Sequence, residues 1–186
     1  MNLVSTPIAG VVVVETAARR DPRGSFARFY CAGELRPAIG ERTIAQINHS
    51  VTGQPGTVRG LHFQHAPHAE MKLVRCVRGR VWDVAVDLRA GSSTLLRWHA
   101  VELTAANARM LVIPEGCAHG FQTLDPDSEL LYLHMAAYAP DAEDGVAWDD
   151  PRVAVAWPLP VDRGSALSER DRNLPRLTPD FAGIAA

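Results

Sequence analysis

The strongest indication of the fold is the stretch MKLVRCVRGRVWDVAVDLR, Met71–Arg89. It contains two valine-rich apolar runs, MKLVRCV and RVWDVAVDL, each as long as a typical β-strand. An Arg-Gly pair lies between them, and glycine commonly interrupts strands. The pattern therefore predicts two consecutive β-strands.

Segments of the same kind recur along the chain: GVVVVE, SFARFY, TIAQINHS, TLLRWHAVEL, RMLVIP and ELLYLHMAAY. Many short strands with turn signals about every 8 to 12 residues are typical of an all-β sandwich or barrel. Helical periodicity is weak, so we expect only one short helix in CAGELRPAIG and a helical turn around ALSERD. We interpret residues 1–186 as a single domain.

The segment that follows Pro151 is rich in proline and lacks a regular apolar pattern. We expect it to wrap in extended form over the barrel. An ordered segment of this kind could bring a functional side chain back to the barrel mouth.

Composition excludes some classes of partner. Nineteen basic and 21 acidic residues give a net charge of −2, so there is no basic field for nonspecific binding to nucleic acid or to an anionic membrane. The three cysteines are widely spaced, and the first residues do not have the pattern of a signal peptide. We therefore expect a cytoplasmic protein that binds neither nucleic acid nor membrane.

Three histidines, His62, His65 and His68, follow one another at intervals of three residues. On a strand this spacing points neighbours to opposite faces, and Gln64 occupies the position where a second metal ligand would lie. The pattern disfavours a metal site, although Glu70 and His119 could complete an irregular one. His65 and His68 are interpreted as loop residues.

Lys72 is the only lysine in a chain with 18 arginines, and it lies within an apolar strand. This choice indicates a need for a compact ammonium group inside the barrel. A buried salt bridge to an inward acid such as Asp83 is the structural alternative. His119 and Tyr132 are likewise open to two interpretations, because each could be a site residue or a satisfied core residue.

Eight motifs, taken in order, resemble the dTDP-4-dehydrorhamnose 3,5-epimerase family: DPRGSFARFY, QINHS, RGLHFQ, MKLVRCVRGRVWDVAVDLR, IPEGCAHGF, ELLYL, WDDP and LSERD. The resemblance covers Asp21 to Leu177. It implies a double-stranded β-helix, the cupin-type jelly roll, and a homodimer that exchanges N-terminal strands. It also implies catalysis with no cofactor and no metal, on a dTDP-linked 4-keto-6-deoxy sugar.

The resemblance implies a role for each catalytic residue. His62 matches the base, Asp171 the carboxylate that orients it, Lys72 the cation facing the C4 oxygen, and Tyr132 the proton donor on the opposite face. These groups suit the removal of a hydrogen next to a ketone, which needs a base and a stabilised enolate oxygen.

The resemblance also implies a set of substrate-binding residues. Arg23 and Arg59 match arginines that hold the diphosphate, and Phe26 and Tyr138 are stacking surfaces for the base. The remaining matches are polar residues lining the pocket: Gln46, Asn48, Gln64 and His119. Arg28 is a departure, because the family usually has a glutamate there near the nucleotide.

Two other functions stay open, a metal-dependent cupin enzyme and a catalytically silent nucleotide-sugar-binding cupin. The sequence does not distinguish inversion at C3, at C5 or at both carbons.

Overall fold

The computed structural model describes residues 1–185 of the chain. Its strands are β1 (Asn2–Ser5), β2 (Val12–Glu15), β3 (Arg19–Asp21), β4 (Gly24–Phe26), β5 (Gln46–Thr52), β6 (Val58–Gln64), β7 (Lys72–Arg78), β8 (Arg80–Asp87), β9 (Trp98–Thr104), β10 (Met110–Ile113), β11 (Cys117–Thr123), β12 (Ser128–His134) and β13 (Glu143–Gly145). The helices are α1 (Ala32–Ile39) and α2 (Glu169–Arg172), with a 3-10 turn at Pro140–Ala142. None of these helices, within residues 1–185, is long and apolar enough to cross a membrane.

Two antiparallel sheets form the barrel, as expected for a cupin-type jelly roll. The six-stranded sheet has the order β1-β2-β10-β7-β12-β5, and the five-stranded sheet has the order β13-β6-β11-β8-β9. One apolar cluster joins them, with Val74 and Leu111 from the first sheet packed among Ala85 and Phe121 from the second. The core therefore lies between the sheets, and the predicted all-β fold is confirmed.

The Arg-Gly pair in Met71–Arg89 is the link between the two sheets. β7 belongs to the six-stranded sheet and β8 to the five-stranded sheet, so the chain changes sheets at Gly79. Gly79 has φ 73°, and an added Cβ would lie 2.5 Å from the hydroxyl oxygen of Ser128. Only glycine fits this turn without displacing β12.

The predicted helices are both present. α1 covers the outer face of the six-stranded sheet, because Leu35 and Ile39 pack against Leu73 and Met110. α2 lies in ALSERD, and the Ser168 hydroxyl accepts the Asp171 amide hydrogen over 3.0 Å. This N-cap holds the first turn of a very short helix.

The segment after Pro151 wraps the outer face of the five-stranded sheet, as predicted. Leu177 and Phe181 pack against a cluster built on Leu61 and Val84. The Ala147 amide also donates to the Pro175 carbonyl oxygen over 2.8 Å. The segment is thereby fixed along the barrel, and α2 lies at the barrel mouth.

Candidate active site

The main cavity opens between the two sheets and has a volume of about 580 Å³. Side chains of β5, β7 and β12 line one wall, and side chains of β6 and β11 line the other. Predicted site residues that line the cavity are Gln46, Asn48, Arg59, His62, Gln64, Lys72, His119, Tyr132, Tyr138 and Asp171. The structure thus brings together residues that are as much as 125 positions apart in the sequence, from Gln46 to Asp171.

His62 lies on β6 with its ring directed into the cavity. Its Nε2 is 2.7 Å from Oδ1 of Asp171, which is 4% exposed. An Nε2–H that donates to this carboxylate leaves Nδ1 as the nitrogen that can accept a proton. The pair therefore has the arrangement of a general base with an orienting acid.

A close approach of β6 and β11 places a second histidine beside the first. His119 is the register partner of His62, and its Nε2 lies 2.8 Å from Oδ1 of Asp83. The approach depends on Gly60, where an added Cβ would be 2.5 Å from the Gly120 Cα. The expected strand position of His119 is correct, and its ring is oriented by a buried carboxylate.

Lys72 is buried, with a side chain that is 6% exposed, and its ion-pair partner is Glu70. The Nζ–Oε1 distance is 2.6 Å. The buried salt bridge that was the structural alternative is therefore present, but its partner is Glu70 and not Asp83, whose carboxylate bonds His119. Lys72 is also the register partner of His134 on β12, so the two side chains lie on the same face of the sheet.

Glu70, considered above only as a possible metal ligand, connects Lys72 and His134 in the cavity. Its second oxygen, Oε2, accepts from Nδ1 of His134 over 2.7 Å. Burial alone would raise the pKa of Glu70, but the hydrogen bond from His134 and the charge of Lys72 outweigh it and lower the pKa to about 2. The carboxylate therefore stays ionised inside the barrel.

Tyr132 lies on β12, on the wall opposite His62. Its ring packs against the core between the sheets, and its hydroxyl is 3.1 Å from the Ser50 hydroxyl. Burial raises the pKa of Tyr132 well above its ordinary value. The side chain is therefore both a core aromatic and a neutral hydroxyl at the cavity.

The polar lining residues differ in how strongly they are engaged. The Gln64 amide is bonded to backbone on both sides, because its nitrogen donates to the His68 carbonyl oxygen and its oxygen accepts from the Ala139 amide. The Gln46 side-chain oxygen accepts from the Tyr138 amide over 2.8 Å. These contacts fix the loop after β12 against the cavity mouth.

An unpredicted cluster also lies at this mouth. The Tyr138 hydroxyl donates to Glu143 over 2.6 Å, and Arg170 pairs with the same carboxylate at 2.9 Å. Arg170 precedes Asp171 in LSERD, so that motif could have indicated it. Ser50 ends the QINHS motif, which could have indicated it in the same way, whereas Glu143 and His134 lie outside the motifs and their contacts depend on the pairing of distant strands.

Three predicted substrate-binding residues, Arg23, Phe26 and Arg28, do not line this cavity within the chain. Arg23 bonds Asp21 at 2.6 Å with its side chain 90% exposed, and Phe26 is 73% exposed. Both lie on the β3–β4 hairpin, which pairs with neither barrel sheet. Arg28 instead forms an ion pair with Glu34 of α1.

The histidines do not converge on one point. Within residues 1–185, no three His, Cys, Asp or Glu side chains are placed to hold a metal ion. Glu70 and His119, the possible completers of an irregular site, bond different partners. His65 follows the end of β6, as predicted for a loop residue, and bonds Asp144 at 3.0 Å.

The fold and site define a class of protein: a cupin-type jelly roll with an acid–base site in its barrel. A family model described as dTDP-4-dehydrorhamnose 3,5-epimerase matches residues 5–179. The chain therefore belongs to the dTDP-4-dehydrorhamnose 3,5-epimerase family, which makes it an isomerase.

Individual relatives agree with this assignment. The dTDP-4-dehydrorhamnose 3,5-epimerase of Sinorhizobium fredii is 40% identical over 95% of this chain and 90% of its own length. A 4-keto-6-deoxy sugar epimerase of Streptomyces spheroides superposes with a TM-score of 0.89 at 38% identity, covering 95% of this chain and 87% of that one. The Legionella pneumophila 3,5-epimerase, solved with dTDP-4-keto-L-rhamnose, has a TM-score of 0.89 at 32% identity over 100% and 98% of the two chains.

Proposed function

We propose that the chain is an epimerase that inverts C3, C5 or both carbons of a dTDP-4-keto-6-deoxy-hexose in deoxysugar biosynthesis. One observation carries the proposal: His62, oriented by Asp171 at 2.7 Å, stands across a single cavity from Lys72 and Tyr132. Inversion next to a ketone requires proton transfer on both faces of the sugar, and the two walls supply such groups. The sequence and structural similarity to named epimerases supports the same substrate class.

The proposed reaction begins when Nδ1 of His62 takes the proton from a carbon next to the C4 ketone. The electron pair of the broken C–H bond moves into the enolate, whose oxygen is stabilised by the Lys72 ammonium group. Tyr132 then donates its hydroxyl proton to the same carbon from the other face. Removal on one face and delivery on the other inverts the centre.

For the nucleotide, we propose that Arg59 binds the diphosphate near the cavity mouth. Its Nε bonds the Thr52 hydroxyl at 3.2 Å, which orients the guanidinium group. Tyr138, held by Glu143, offers an aromatic surface for the base and is 54% exposed. Asn48 and His119 are proposed to contact the sugar.

We also propose a homodimer in which the β3–β4 hairpin of one protomer reaches the cavity of its partner. A two-stranded hairpin alone is marginally stable in water, so this one requires a surface to pack on. β5 lies at the edge of the six-stranded sheet and exposes Ile47 and Val51 by 58% and 54%. In this arrangement Arg23 and Phe26 would serve the partner's substrate, in a cytoplasmic enzyme with one domain per chain.

Deuterium incorporation in D2O tests the function. Incubation with a dTDP-4-keto-6-deoxy-hexose should introduce deuterium at each carbon that is inverted. His62→Ala should abolish exchange, because the base is gone, whereas Tyr132→Phe should exchange with reduced inversion. Near-normal exchange by His62→Ala would overturn the mechanism, and binding without any exchange by the wild type would favour a silent sugar-binding protein.

A further inference from the structure

A third histidine–carboxylate pair in the cavity has no part in the reaction described so far. Nδ1 of His134 lies 2.7 Å from Oε2 of Glu70, and the two side chains are 11% and 9% exposed. The distance equals the one between His62 and Asp171. Both residues of this third pair line the cavity.

The His134–Glu70 pair lies on the same barrel wall as Tyr132. His134 follows Tyr132 by two residues on β12, so both side chains point to the same face of the sheet. Their rings stack with centroids 6.0 Å apart and an interplanar angle of 21°. His134 therefore stands beside the proposed proton donor, on the wall opposite His62.

The ring orientation of His134 is fixed at both nitrogens. Nδ1–H donates to Glu70, and Nε2 accepts from the side-chain nitrogen of Asn48 over 3.4 Å, so a proton taken up at Nε2 replaces the contact with Asn48. An imidazole whose Nδ1–H is held by a carboxylate presents Nε2 as its exchangeable position. Asn48 lines the cavity, so this nitrogen is at the substrate side of the wall.

We propose that His134, oriented by Glu70, is a second proton donor of the site, acting from the Tyr132 wall on one of the two carbons next to the ketone. The proposal deepens the epimerase function and rests on it. Glu70 acts as a positioning residue for His134, as Asp171 does for His62.

The proton transfer from His134 follows formation of the enolate. His62 has taken the carbon-bound proton, and the enolate carries the electron pair. The imidazolium form of His134 gives its Nε2 proton to the carbon, where the enolate electrons form the new C–H bond on the opposite face. His134 becomes neutral and His62 stays protonated, and exchange with solvent water resets both rings.

The electrostatics of the wall favour a second donor. Burial raises the pKa of Tyr132, so the phenolate left after proton donation is costly in this position. The Glu70 carboxylate accepts the Nδ1–H of His134, so it holds the ring in the orientation that presents Nε2 to the cavity. Lys72 shares the same carboxylate, which keeps the three groups in one hydrogen-bonded cluster.

The test compares inversion with exchange at each carbon. Wild type, His134→Gln, Glu70→Gln and Tyr132→Phe are incubated in D2O with dTDP-4-keto-6-deoxy-glucose, and NMR follows deuterium and configuration at C3 and C5 separately. Glutamine retains hydrogen-bonding capacity but cannot carry a proton between groups. Affinity for dTDP and circular dichroism confirm that each variant is folded.

In His134→Gln, the ratio of inversion to exchange should fall about tenfold or more at a carbon that the wild type inverts, because exchange needs the His62 pair and Lys72 but no donor on the opposite wall. Glu70→Gln should shift the ratio in the same direction, and it provides the test if His134→Gln does not fold. A parallel fall of exchange and inversion, or an unchanged ratio, overturns the role of His134. A wild type without exchange overturns the proposed function and this inference with it.

Discussion

The cavity restricts the chemical type of the residue at position 72. The Lys72 ammonium group is buried, bonds Glu70 at 2.6 Å and is proposed to face the enolate oxygen. A guanidinium group keeps the charge but spreads it over a planar fork that matches a carboxylate better than a single oxygen. The contact with Glu70 could therefore survive a change to arginine while the contact with the enolate is lost.

We predict that Lys72→Arg lowers kcat by about 100-fold or more, the range found when one enolate- or oxyanion-stabilising group is removed. Affinity for dTDP should stay near that of the wild type, because the change lies at the sugar end. Steady-state kinetics and dTDP titration measure the two quantities. Lys72→Met is the matched control without charge, and an arginine variant with near-normal kcat would refute the role of a compact ammonium.

Glu70 should make stability sensitive to acid. Its pKa is lowered from 4.5 to about 2 in the folded protein, so the unfolded state binds the proton more readily. The resulting stabilisation is present above pH 4.5 and disappears as the pH falls towards 2. Replacing Glu70 by Gln should flatten this decline in the free energy of unfolding, by up to about 3 kcal/mol.

Urea unfolding at a series of pH values measures this effect. Glu41→Gln is the control, because the Glu41 side chain is 79% exposed and its ion pair with Arg36 lies at the surface. The control should follow the wild-type curve. Equal curves for Glu70→Gln and wild type would show that the buried carboxylate does not contribute to acid unfolding.

Among the elements, β6 and β11 meet at the closest backbone contact of the site. Gly60 has φ 123°, and an added Cβ would lie 2.5 Å from the Gly120 Cα and 2.7 Å from the His119 carbonyl oxygen. The two neighbours are backbone atoms, so they cannot move aside without separating the strands. The contact sets the register that brings His62 opposite His119.

Gly60→Ala should therefore destabilise the fold by about 3 kcal/mol or more, through overpacking together with an unfavourable φ. Gly33→Ala is the control, since it lies in α1 with nothing within 4 Å of an added Cβ and should change stability by about 1 kcal/mol or less. Thermal and urea unfolding compare the two variants. Similar stabilities would mean that β6 can shift away from β11 at little cost.

The strands and helices differ from the contacts between them in how well the sequence predicts them. Strands and short helices were predictable, because alternation and breakers are local properties of the chain. Lys72 was predictable as a special residue from its rarity alone. The Glu70–His134 contact was not, because it arises from the pairing of His134 with Lys72 across β12 and β7, and no local pattern fixes that register.

At the scale of the whole molecule, a similar limit applies to the β3–β4 hairpin. Motifs placed Arg23 and Phe26 in a binding role, but the sequence does not tell which chain's cavity a residue serves. Within one chain the hairpin stands apart from the barrel sheets. Which cavity the β3–β4 hairpin serves therefore depends on how two chains assemble into a dimer. An experiment that mixes two inactive variants can test this.

We predict that co-expression of His62→Ala with Arg23→Ala restores activity that neither variant has alone. If the hairpin serves the partner, each mixed dimer contains one site with an intact base and an intact hairpin, so about half of the sites in the purified mixed dimers should be active. Epimerase assays on differentially tagged, purified mixed dimers measure the recovery. A hairpin that serves its own chain gives no active site in any mixed dimer, and recovery should be absent.

The docking of α2 at the barrel mouth has a consequence for protein synthesis. His62 and Asp171 are separated by 109 positions, so a growing polypeptide exposes its base long before the ribosome has made the carboxylate that orients it. A nascent barrel can close around its core while its imidazole still lacks its partner. Under the proposed mechanism, a chain stalled before Asp171 would hold His62 without its orienting carboxylate, and turnover should rise once α2 has been made.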